Sequence, residues 1–264
     1  MKKIVLFDMD GTLTPAREKM TNVMCRKLEH LQRNGFEIGI VTGSDMDYLK
    51  QQCDILFGFS PVDFTKIHYL PCNGTKYYMY QSQKFVAKYE LDMKEEIGQE
   101  NYEKIIKIIL SMQSMIANTY LEMPLTGNFV SYRGSMLNYC PIGRAAKAND
   151  RIRWSRFERR HETRKKIYSV LRQAFNQADM ENVVIKLGGE TSFDIYPEGW
   201  DKTYAFTNFS NYDSIYFVGD KCDRAAGNDY EAYVKAGKNG YVTSGPAETM
   251  RIIDEIINND NERV

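Results

Sequence analysis

The sequence predicts an α/β fold, with a Rossmann-like parallel-sheet core domain and an inserted α+β cap domain made of an antiparallel sheet plus helices. Two observations predict the core: the apolar run Lys3–Phe7 ends at Asp8, and the run Ser214–Gly219 ends at Asp220. Apolar runs closed by a turn residue are typical of strands that are covered on both faces. A third observation predicts the insertion: between about residues 95 and 197, strand and helix patterns no longer alternate regularly.

The order of local signals places the elements along the chain. Thr21 is expected to cap a helix that runs to about Asn34, and the strand Glu37–Val41 follows before another helix, which favours a parallel sheet. Further helices are predicted over about 95–117, 162–178 and 248–259, and further strands around Arg133 and over 183–187 and 192–196. The predicted domains are a core of residues 1–87 with 199–264 and a cap of residues 88–198.

The composition is that of an ordinary soluble protein and excludes several classes. Apolar residues make up 43% and charged residues 27%, and 35 basic side chains balance 35 acidic ones, so no nucleic-acid or membrane partner is expected. The cysteines are odd in number and lack CxxC spacing, which argues against a zinc site and favours a reducing compartment. The first apolar stretch is too short for a signal peptide or a spanning helix. We therefore expect a cytoplasmic protein.

Two carboxylates stand at the end of the first strand, in Asp8-Met9-Asp10-Gly11-Thr12-Leu13-Thr14. A carboxylate has an ordinary pKa of about 4 and is a usable nucleophile at neutral pH. Asp8 is expected to point into the site, while Asp10, further along the loop, is free to act as general acid and base. A phosphoryl group repels an anionic nucleophile, so Asp8, Asp10 and Asp220 together predict a site for Mg²⁺ and phosphate. Helix capping or turn formation is the alternative role for such acids.

Two further residues fit phosphate chemistry only in this context. Thr42 closes the second strand and offers a hydroxyl to a phosphate oxygen, although an ordinary loop cap is as good an interpretation of the residue alone. Lys202 follows Trp200-Asp201 and can neutralise phosphate or the charge of the nucleophile, although a single lysine is usually a solvated surface residue.

The predicted cap carries a second set of candidate binding residues. Arg133, Arg144 and Arg151 can grip a phosphate with their planar guanidinium groups, without a metal. Ser192 and Asp194 alternate along a predicted strand, so both face one side, where they could bond sugar hydroxyls. A group of nearby basic residues is expected to be solvated surface: Arg153, Arg156, Arg159, Arg160 and Arg164.

These motifs resemble those of the haloacid dehalogenase superfamily, and with the cap sequences the chain resembles the eukaryotic-type phosphomannomutases over nearly its whole length. The resemblance implies that Asp8 is the phosphorylated nucleophile, with Asp10 as general acid and base. It implies that Mg²⁺ is held at Asp8, by the backbone carbonyl of Asp10 and by Asp220, with Asn228 or Asp229 as further candidate ligands. The implied sugar-phosphate ligands are Arg17, Arg133, Arg144, Arg151, Ser192 and Asp194. Family caps pair, which implies a homodimer.

The implied reaction interconverts mannose 6-phosphate and mannose 1-phosphate through a hexose 1,6-bisphosphate, for GDP-mannose synthesis. Glucose phosphates are further candidate substrates, since no residue is identified that reads the configuration at C2. A capped, magnesium-dependent sugar-phosphate phosphatase is the alternative, because Thr42 stands where the family tends to have glycine. A third hypothesis is a non-catalytic protein that binds a polyanion through the basic segment 151–166, and the neutral total charge weighs against it.

Overall fold

A computed structural model describes residues 1–58, 60–224 and 227–261. Within this part of the chain, contacts group the residues into two compact units. The core unit comprises Met1–Glu90 and the segment from Gly199 onward, and the cap unit comprises Leu91–Glu198. The sequence-based domain limits, 1–87 with 199–264 and 88–198, stay a prediction. The last segment of that core includes residues 225, 226 and 262–264, which lie outside the described residues.

The N-terminal segment of the core unit alternates strands and helices and then forms a hairpin, and the rest of the unit follows the cap unit. The strands of the core unit are β1 (Lys3–Phe7), β2 (Phe36–Val41), β3 (Ile67–Leu70), β4 (Lys76–Gln81) and β5 (Lys84–Glu90), followed after the cap unit by β10 (Ser214–Gly219) and β11 (Gly240–Val242). Its α-helices are α1 (Asn22–Arg33), α2 (Met46–Gln52), α7 (Tyr230–Ala236) and α8 (Pro246–Asn261). A 3₁₀-helix, Lys202–Phe209, follows the return from the cap unit.

The described strands of the core unit form one sheet in the order β11-β10-β1-β2-β3-β4-β5. Pairing is parallel from β11 to β3 and antiparallel in the hairpin that follows. Strand β1 therefore lies between β10 and β2, with Phe7 opposite both Val218 and Ile40. Because all three strands run in the same direction, the residues that follow them come to the same edge of the sheet.

Strand β1 is buried on both faces, as its apolar run predicted. Val5 and Phe7 belong to a cluster that includes Leu28 of α1, whereas Ile4 and Leu6 belong to a second cluster with Phe209. Successive side chains of a strand point to opposite faces, so four consecutive apolar residues must be covered on both. The local signals around α1 are also confirmed, because the side chain of Thr21 accepts a hydrogen bond from the backbone N–H of Met24.

The cap unit combines helices with an antiparallel sheet. Its helices are α3 (Met93–Ile97), α4 (Gln99–Thr119), α5 (Ala148–His161) and α6 (Thr163–Gln177), and its strands are β6 (Val130–Tyr132), β7 (Leu137–Tyr139), β8 (Val183–Gly188) and β9 (Ser192–Pro197). The described strands pair in the order β6-β7-β9-β8. The predicted fold class, a parallel-sheet core with an inserted α+β segment, is confirmed.

Two helix predictions for the cap unit were incomplete. The helix expected over about 95–117 is divided at Gly98, whose φ of 82° is incompatible with a continuous right-handed helix. The basic segment before residue 162 forms a helix of its own, α5, and Glu162 adopts the left-handed conformation (φ 46°) at the junction with α6. Among the helices of the described residues, none combines the length and the apolar composition needed to span a membrane.

A network of buried and half-buried polar side chains connects Glu37 of β2, His68 of β3, Tyr77 of β4 and Tyr212. The ring of His68 lies with Nε2 2.7 Å from Glu37 Oε2 and Nδ1 2.7 Å from Tyr77 Oη. Tyr212 donates a further hydrogen bond to Glu37, at 2.6 Å. Burial lowers the pKa of His68 below its ordinary value of 6.5, and Glu37 offsets this only in part. Burial raises the pKa of Glu37, but hydrogen bonds from Tyr212 and His68 outweigh it, so this pKa lies below 4.5.

We expect His68 to make the stability of the protein depend on pH. The unfolded chain binds a proton at His68 near pH 6.5 and the folded chain does so only at lower pH, so acidification through this range destabilises the folded state. The stability advantage of the wild type over His68→Gln should therefore shrink by up to about 1 kcal/mol between pH 7.5 and pH 5.5. Urea unfolding at both pH values measures this. His30→Gln, on the exposed surface of α1, is the control. An advantage that stays constant or grows on acidification contradicts the expectation.

Candidate active site

Three predicted site residues follow three adjacent parallel strands. Asp8 comes directly after β1, Thr42 after β2 and Asp220 after β10. The backbone N–H of Asp8 donates to the carbonyl of Val218 at 2.9 Å, so the ladder between β1 and β10 continues to Asp8. The carboxyl ends of parallel strands are where open α/β sheets bind their ligands. The strand order thus explains why distant parts of the chain contribute to one site.

Lys202 joins two of the acids at this edge. Its ammonium group donates hydrogen bonds to Asp8 Oδ1 and to Asp229 Oδ1, and all three side chains are buried. Asp229 also accepts a hydrogen bond from the backbone N–H of Lys221, at 3.1 Å, which holds the carboxylate in place. A buried ammonium group needs such partners because an isolated buried charge is strongly unfavourable. The interpretation of Lys202 as a solvated surface residue is therefore wrong.

The acids at the site repel one another. Burial raises the pKa of Asp8, Lys202 lowers it, and Asp229 and Asp220 raise it again, with a result of about 7. The pKa of Asp220 is also raised, first by burial, and Asp229 adds to this. Burial lowers the pKa of Lys202, but Asp229 and Asp8 outweigh burial and raise it above its ordinary value. The site therefore holds more negative charge than one ammonium group neutralises.

The donor set fits a hard divalent cation. Ligand oxygens of Asp8, Asp220 and Asp229 lie within 4.8 Å of one another. Asn228 Oδ1 is buried and accepts no hydrogen bond from a described residue, so a further oxygen is left without a partner beside Asp229. Carboxylate and amide oxygens are the ligands that Mg²⁺ and Ca²⁺ prefer. The side chain of Asp10 does not belong to this cluster, and its carbonyl oxygen stays a predicted ligand.

Gly11 makes room for Asp220. Its φ is 88°, and a Cβ placed there would lie 2.5 Å from Asp220 Oδ2. We expect Gly11→Ala to lower Mg²⁺ affinity by roughly tenfold or more, because the displaced carboxylate is a predicted ligand. Gly35→Ala is a matched control, since Gly35 has a φ of 80° and no atom within 4 Å of the added Cβ. Both variants should lose about 1 kcal/mol of stability from backbone strain. Isothermal titration with Mg²⁺ measures the difference, and equal affinities would show that Asp220 does not bind the ion.

The loop after β1 orients Asp10. Asp10 Oδ1 accepts a hydrogen bond from the backbone N–H of Arg17 at 2.9 Å and another from the hydroxyl of Tyr48 at 3.1 Å. Arg17 itself is exposed and adopts a left-handed conformation with φ of 64°. The structure thus places the predicted sugar-phosphate ligand Arg17 beside Asp10 through its backbone. Its guanidinium group stays a predicted phosphate ligand.

Thr42 occupies a buried turn at the end of β2. Its Oγ1 accepts a hydrogen bond from the backbone N–H of Ser44 at 3.1 Å, and its carbonyl accepts one from the N–H of Asn73 at 2.8 Å. The first bond is that of an ordinary loop cap, which was one of the two interpretations of this residue. Because it uses an acceptor lone pair of the hydroxyl, the O–H is still able to donate to a phosphate oxygen.

In the cap unit, an asparagine connects the predicted ligands Arg144 and Asp194. Arg144 Nη1 donates to Asn138 Oδ1, and Asn138 Nδ2 donates to Asp194 Oδ1, both at 2.7 Å. Asn138 lies directly opposite Asp194 in the pairing of β7 with β9. Arg133 Nη1 lies 3.8 Å from the same Asp194 oxygen. Arg133 thus lies beside the Asp194 carboxylate, and Arg144 is connected to it through Asn138.

The remaining predicted ligands of the cap unit lie near the start of β9. Arg151 donates from Nε to the carbonyl of Ala146 at 3.3 Å, and its Nη1 lies 3.5 Å from Thr191 Oγ1, next to Ser192. The structure brings Arg133, Arg144 and Asp194 together, and it places Arg151 beside the residue that precedes Ser192. Whether these side chains bind a sugar phosphate stays a prediction.

The prediction of a solvated basic surface was wrong for Arg164. This side chain is half-buried, donates from Nη2 to the carbonyl of Ser192 at 3.0 Å and lies over the ring of Phe193. Its backbone N–H donates to Glu158. Burial lowers the pKa of Arg164 in spite of Glu158. Arg164 therefore supports the strand that carries Ser192. The other four arginines of that group are exposed, as predicted: Arg153, Arg156, Arg159 and Arg160.

Sequence reasoning also missed Asn138 and Tyr48. Asn138 is a polar residue inside a short strand pattern, between Leu137 and Tyr139, and this position was a usable signal. Tyr48 offered no signal, because its contact with Asp10 joins helix α2 to the loop after β1, which only the tertiary structure brings together. Contacts of this type depend on the packing of helix α2 and cannot be found from spacing.

Most of the chain matches the model of one protein family. The family model of eukaryotic phosphomannomutase matches residues 24–259. The chain belongs to the eukaryotic phosphomannomutase family. The predicted resemblance is confirmed, and so is the prediction of an enzyme of this kind.

Curated phosphomannomutases align with nearly the whole chain. The phosphomannomutase of Schizosaccharomyces pombe is 34% identical, covering 97% of this chain and 95% of its own. That of Saccharomyces cerevisiae is 33% identical, with 97% and 94% covered, and that of Drosophila melanogaster is 31% identical, with 96% and 95% covered. The match therefore includes the segments of both units.

Solved structures with the same fold are more distant in sequence. IMP-bound, N-terminally truncated IMP-nucleotidase of Plasmodium falciparum has a TM-score of 0.68 at 11% identity, covering 97% of this chain and 68% of that one. The C-terminal domain of trehalose-6-phosphate phosphatase of Candida albicans has a TM-score of 0.59 at 14% identity, with 97% and 92% covered. At such identities the likeness shows the fold alone. Membership of the phosphomannomutase family, with its haloacid-dehalogenase-like fold, implies a divalent metal, for which the acidic cluster is suited.

Proposed function

We propose that this member of the phosphomannomutase family interconverts mannose 6-phosphate and mannose 1-phosphate through a phosphorylated Asp8. The name of its relatives supports the hexose. The observation that carries the mechanism is the buried Asp8 carboxylate, bonded to Lys202 at the carboxyl end of β1 and close to two further acids. A carboxylate held in this way is suited to attack phosphorus and to carry the phosphoryl group.

The reaction proceeds in two transfers through a hexose 1,6-bisphosphate. An oxygen of Asp8 forms a bond to the phosphorus of the bisphosphate, the bond from phosphorus to the sugar oxygen breaks, and Asp10 gives this oxygen a proton. This sugar monophosphate leaves as the product, and a substrate molecule that carries its phosphate on the other carbon binds and presents its free hydroxyl. Asp10 takes the proton of that hydroxyl, whose oxygen attacks the phosphorus of phospho-Asp8 and regenerates the carboxylate. Each cycle moves the phosphate between C1 and C6.

Positively and negatively charged groups balance one another at the core site. Lys202 faces Asp8 and balances part of the charge of the nucleophile, while Asp229 keeps the ammonium group in position. We propose Mg²⁺ as the metal, held by Asp8, Asp220 and Asp229 with Asn228 and the carbonyl of Asp10. When bound, the ion supplies positive charge that keeps these carboxylates ionised beside a phosphate. The Thr42 hydroxyl donates to a phosphate oxygen in this proposal.

A mutase needs a second phosphate site, and the cap unit supplies cationic groups for one. Arg133 lies beside Asp194, and the exposed Arg144 donates to Asn138, which is bonded to the same Asp194. We propose that these arginines, with Arg151 and Arg17, hold the phosphate that is not being transferred, while Ser192 and Asp194 bond the sugar. A phosphatase needs only the transfer site and a water molecule, so the arginine set supports the mutase.

We propose that the enzyme supplies mannose 1-phosphate for GDP-mannose synthesis. Mannose 1-phosphate is the precursor of GDP-mannose, and glucose phosphates are included among the substrates. A cytoplasmic location follows from the cysteine pattern. We further propose a homodimer formed through the cap unit, which exposes several large apolar side chains: Leu110, Met115, Leu121 and Leu125. Light scattering after gel filtration measures the oligomeric state, and a monomer at micromolar concentration contradicts the dimer.

A coupled assay tests the main proposal. Purified enzyme receives Mg²⁺ and mannose 1-phosphate, with and without a catalytic amount of glucose 1,6-bisphosphate, and mannose 6-phosphate and free phosphate are both measured. We expect mannose 6-phosphate as the main product, formed faster with the bisphosphate. Free phosphate as the main product, with no effect of the bisphosphate, would instead support the sugar-phosphate phosphatase. Salt-sensitive polyanion binding without turnover would support the binding-protein hypothesis.

A further inference from the structure

Tyr48 forms a contact with the proposed general acid and base that the reaction scheme leaves unused. Its hydroxyl lies 3.1 Å from Asp10 Oδ1 and donates a hydrogen bond to it. The residue belongs to helix α2, which follows the Thr42 loop, whereas Asp10 follows β1. The contact thus links the first turn of α2 to the loop after β1, at the carboxyl edge of the sheet.

The position of Tyr48 is held independently of Asp10. Its ring packs against the core cluster that contains Leu49 and Met46 of the same helix. Its backbone N–H donates to Asp45 Oδ1 at 2.9 Å, which is the N-cap bond of α2. A cap bond and apolar packing fix both the start of the helix and the tyrosine in its first turn. The hydroxyl is therefore a preorganised donor.

Asp10 uses its two oxygens unequally. Both hydrogen bonds that described residues make to its side chain, from Tyr48 and from the N–H of Arg17, end on Oδ1. Oδ2 accepts no hydrogen bond from a described residue. A carboxyl group whose one oxygen is occupied by two donors carries its transferable proton on the other oxygen, since a protonated Oδ1 would lose one of these bonds.

We propose that Tyr48 is a positioning residue for proton transfer: with the backbone N–H of Arg17 it holds Oδ1 of Asp10, so that Oδ2 carries the proton to and from the sugar oxygen. This inference rests on the proposed role of Asp10. In the first transfer the bond from Asp8 oxygen to phosphorus forms, the bond from phosphorus to the sugar oxygen breaks, and the proton of Oδ2 goes to that oxygen. Tyr48 keeps its own proton throughout. Tyr48 should therefore affect the rate of phosphoryl transfer only where the leaving group needs a proton.

Two phosphoryl donors separate this role from a merely structural one. Glucose 1,6-bisphosphate and acetyl phosphate give the same phospho-Asp8, but acetate leaves without a proton, whereas the sugar oxygen needs one. We expect Tyr48→Phe to slow phosphorylation by glucose 1,6-bisphosphate about tenfold, the effect of losing one hydrogen bond to a charged group. Phosphorylation by acetyl phosphate should slow less than about twofold. Rapid-quench measurement of phosphoenzyme formation gives both rates, and KM for the hexose phosphate should stay unchanged.

Two further variants make the outcome decisive. Tyr80→Phe removes a hydroxyl whose ring packs against the same core cluster and which bonds to no described residue, so both of its rates should equal those of the wild type. Asp10→Asn should slow the glucose bisphosphate reaction far more than the acetyl phosphate reaction. If Asp10→Asn affects both donors equally, the proposed function of Asp10 is wrong. If Asp10→Asn behaves as expected but Tyr48→Phe matches the wild type, or slows both donors alike, the inference on Tyr48 is overturned.

Discussion

Replacing Asp8 by asparagine should lower the rate of mannose 1-phosphate isomerisation by at least about four orders of magnitude, because an amide cannot accept the phosphoryl group. The fold should persist, since the amide keeps the size of the side chain and its place beside Lys202. The coupled assay measures turnover, and radiolabelled glucose 1,6-bisphosphate measures phosphoenzyme formation. Both signals should disappear together.

Asp47→Asn is the matched control for this variant. Asp47 is an exposed acid on α2 that pairs with Lys50 at the surface, so its loss should leave turnover and labelling unchanged. Thermal unfolding of both variants excludes misfolding as the cause. If Asp8→Asn still acquires label, another residue carries the phosphoryl group and the mechanism proposed for Asp8 is wrong.

Arg144→Ala should reduce isomerisation of mannose 1-phosphate about hundredfold, the loss expected when a guanidinium no longer binds a phosphate. Hydrolysis of acetyl phosphate should fall less than about threefold, because this small donor has no second phosphate to bind at the cap unit. The ratio of the two rates is the measurement. The same substitution also removes the bond from Arg144 to Asn138, so part of the loss arises from a less ordered Asp194.

Arg156→Ala provides the comparison for Arg144. Arg156 is an exposed arginine of helix α5 in the same unit, and we expect its variant to isomerise mannose 1-phosphate at the wild-type rate. Equal losses with mannose 1-phosphate and acetyl phosphate in Arg144→Ala would show that this residue acts on the fold or on the transfer step, and the second phosphate site would have to lie elsewhere.

Local sequence patterns predicted some elements of the fold and missed others. The apolar runs before Asp8 and Asp220 were enough to predict the two strands and the edge of the sheet at which the acids lie. A strand that is buried on both faces needs apolar residues at nearly all of its positions, and such a run is recognisable in the sequence. The long helix was predicted without its break at Gly98, since one glycine within an amphipathic pattern is compatible with either outcome. Helix α5 was missed because charged residues dominate its sequence and only Trp154 and Phe157 are buried.

The sequence by itself determined the fold class, the family and which residue types are available for phosphoryl transfer, because strand periodicity and the motif order are local properties of the chain. Only the tertiary structure decided how those residues are paired. Lys202 lies between Asp8 and Asp229, Tyr48 bonds to Asp10, and Arg164 supports Ser192. These contacts join residues from different elements, and they depend on strand order and helix packing, which no local pattern encodes.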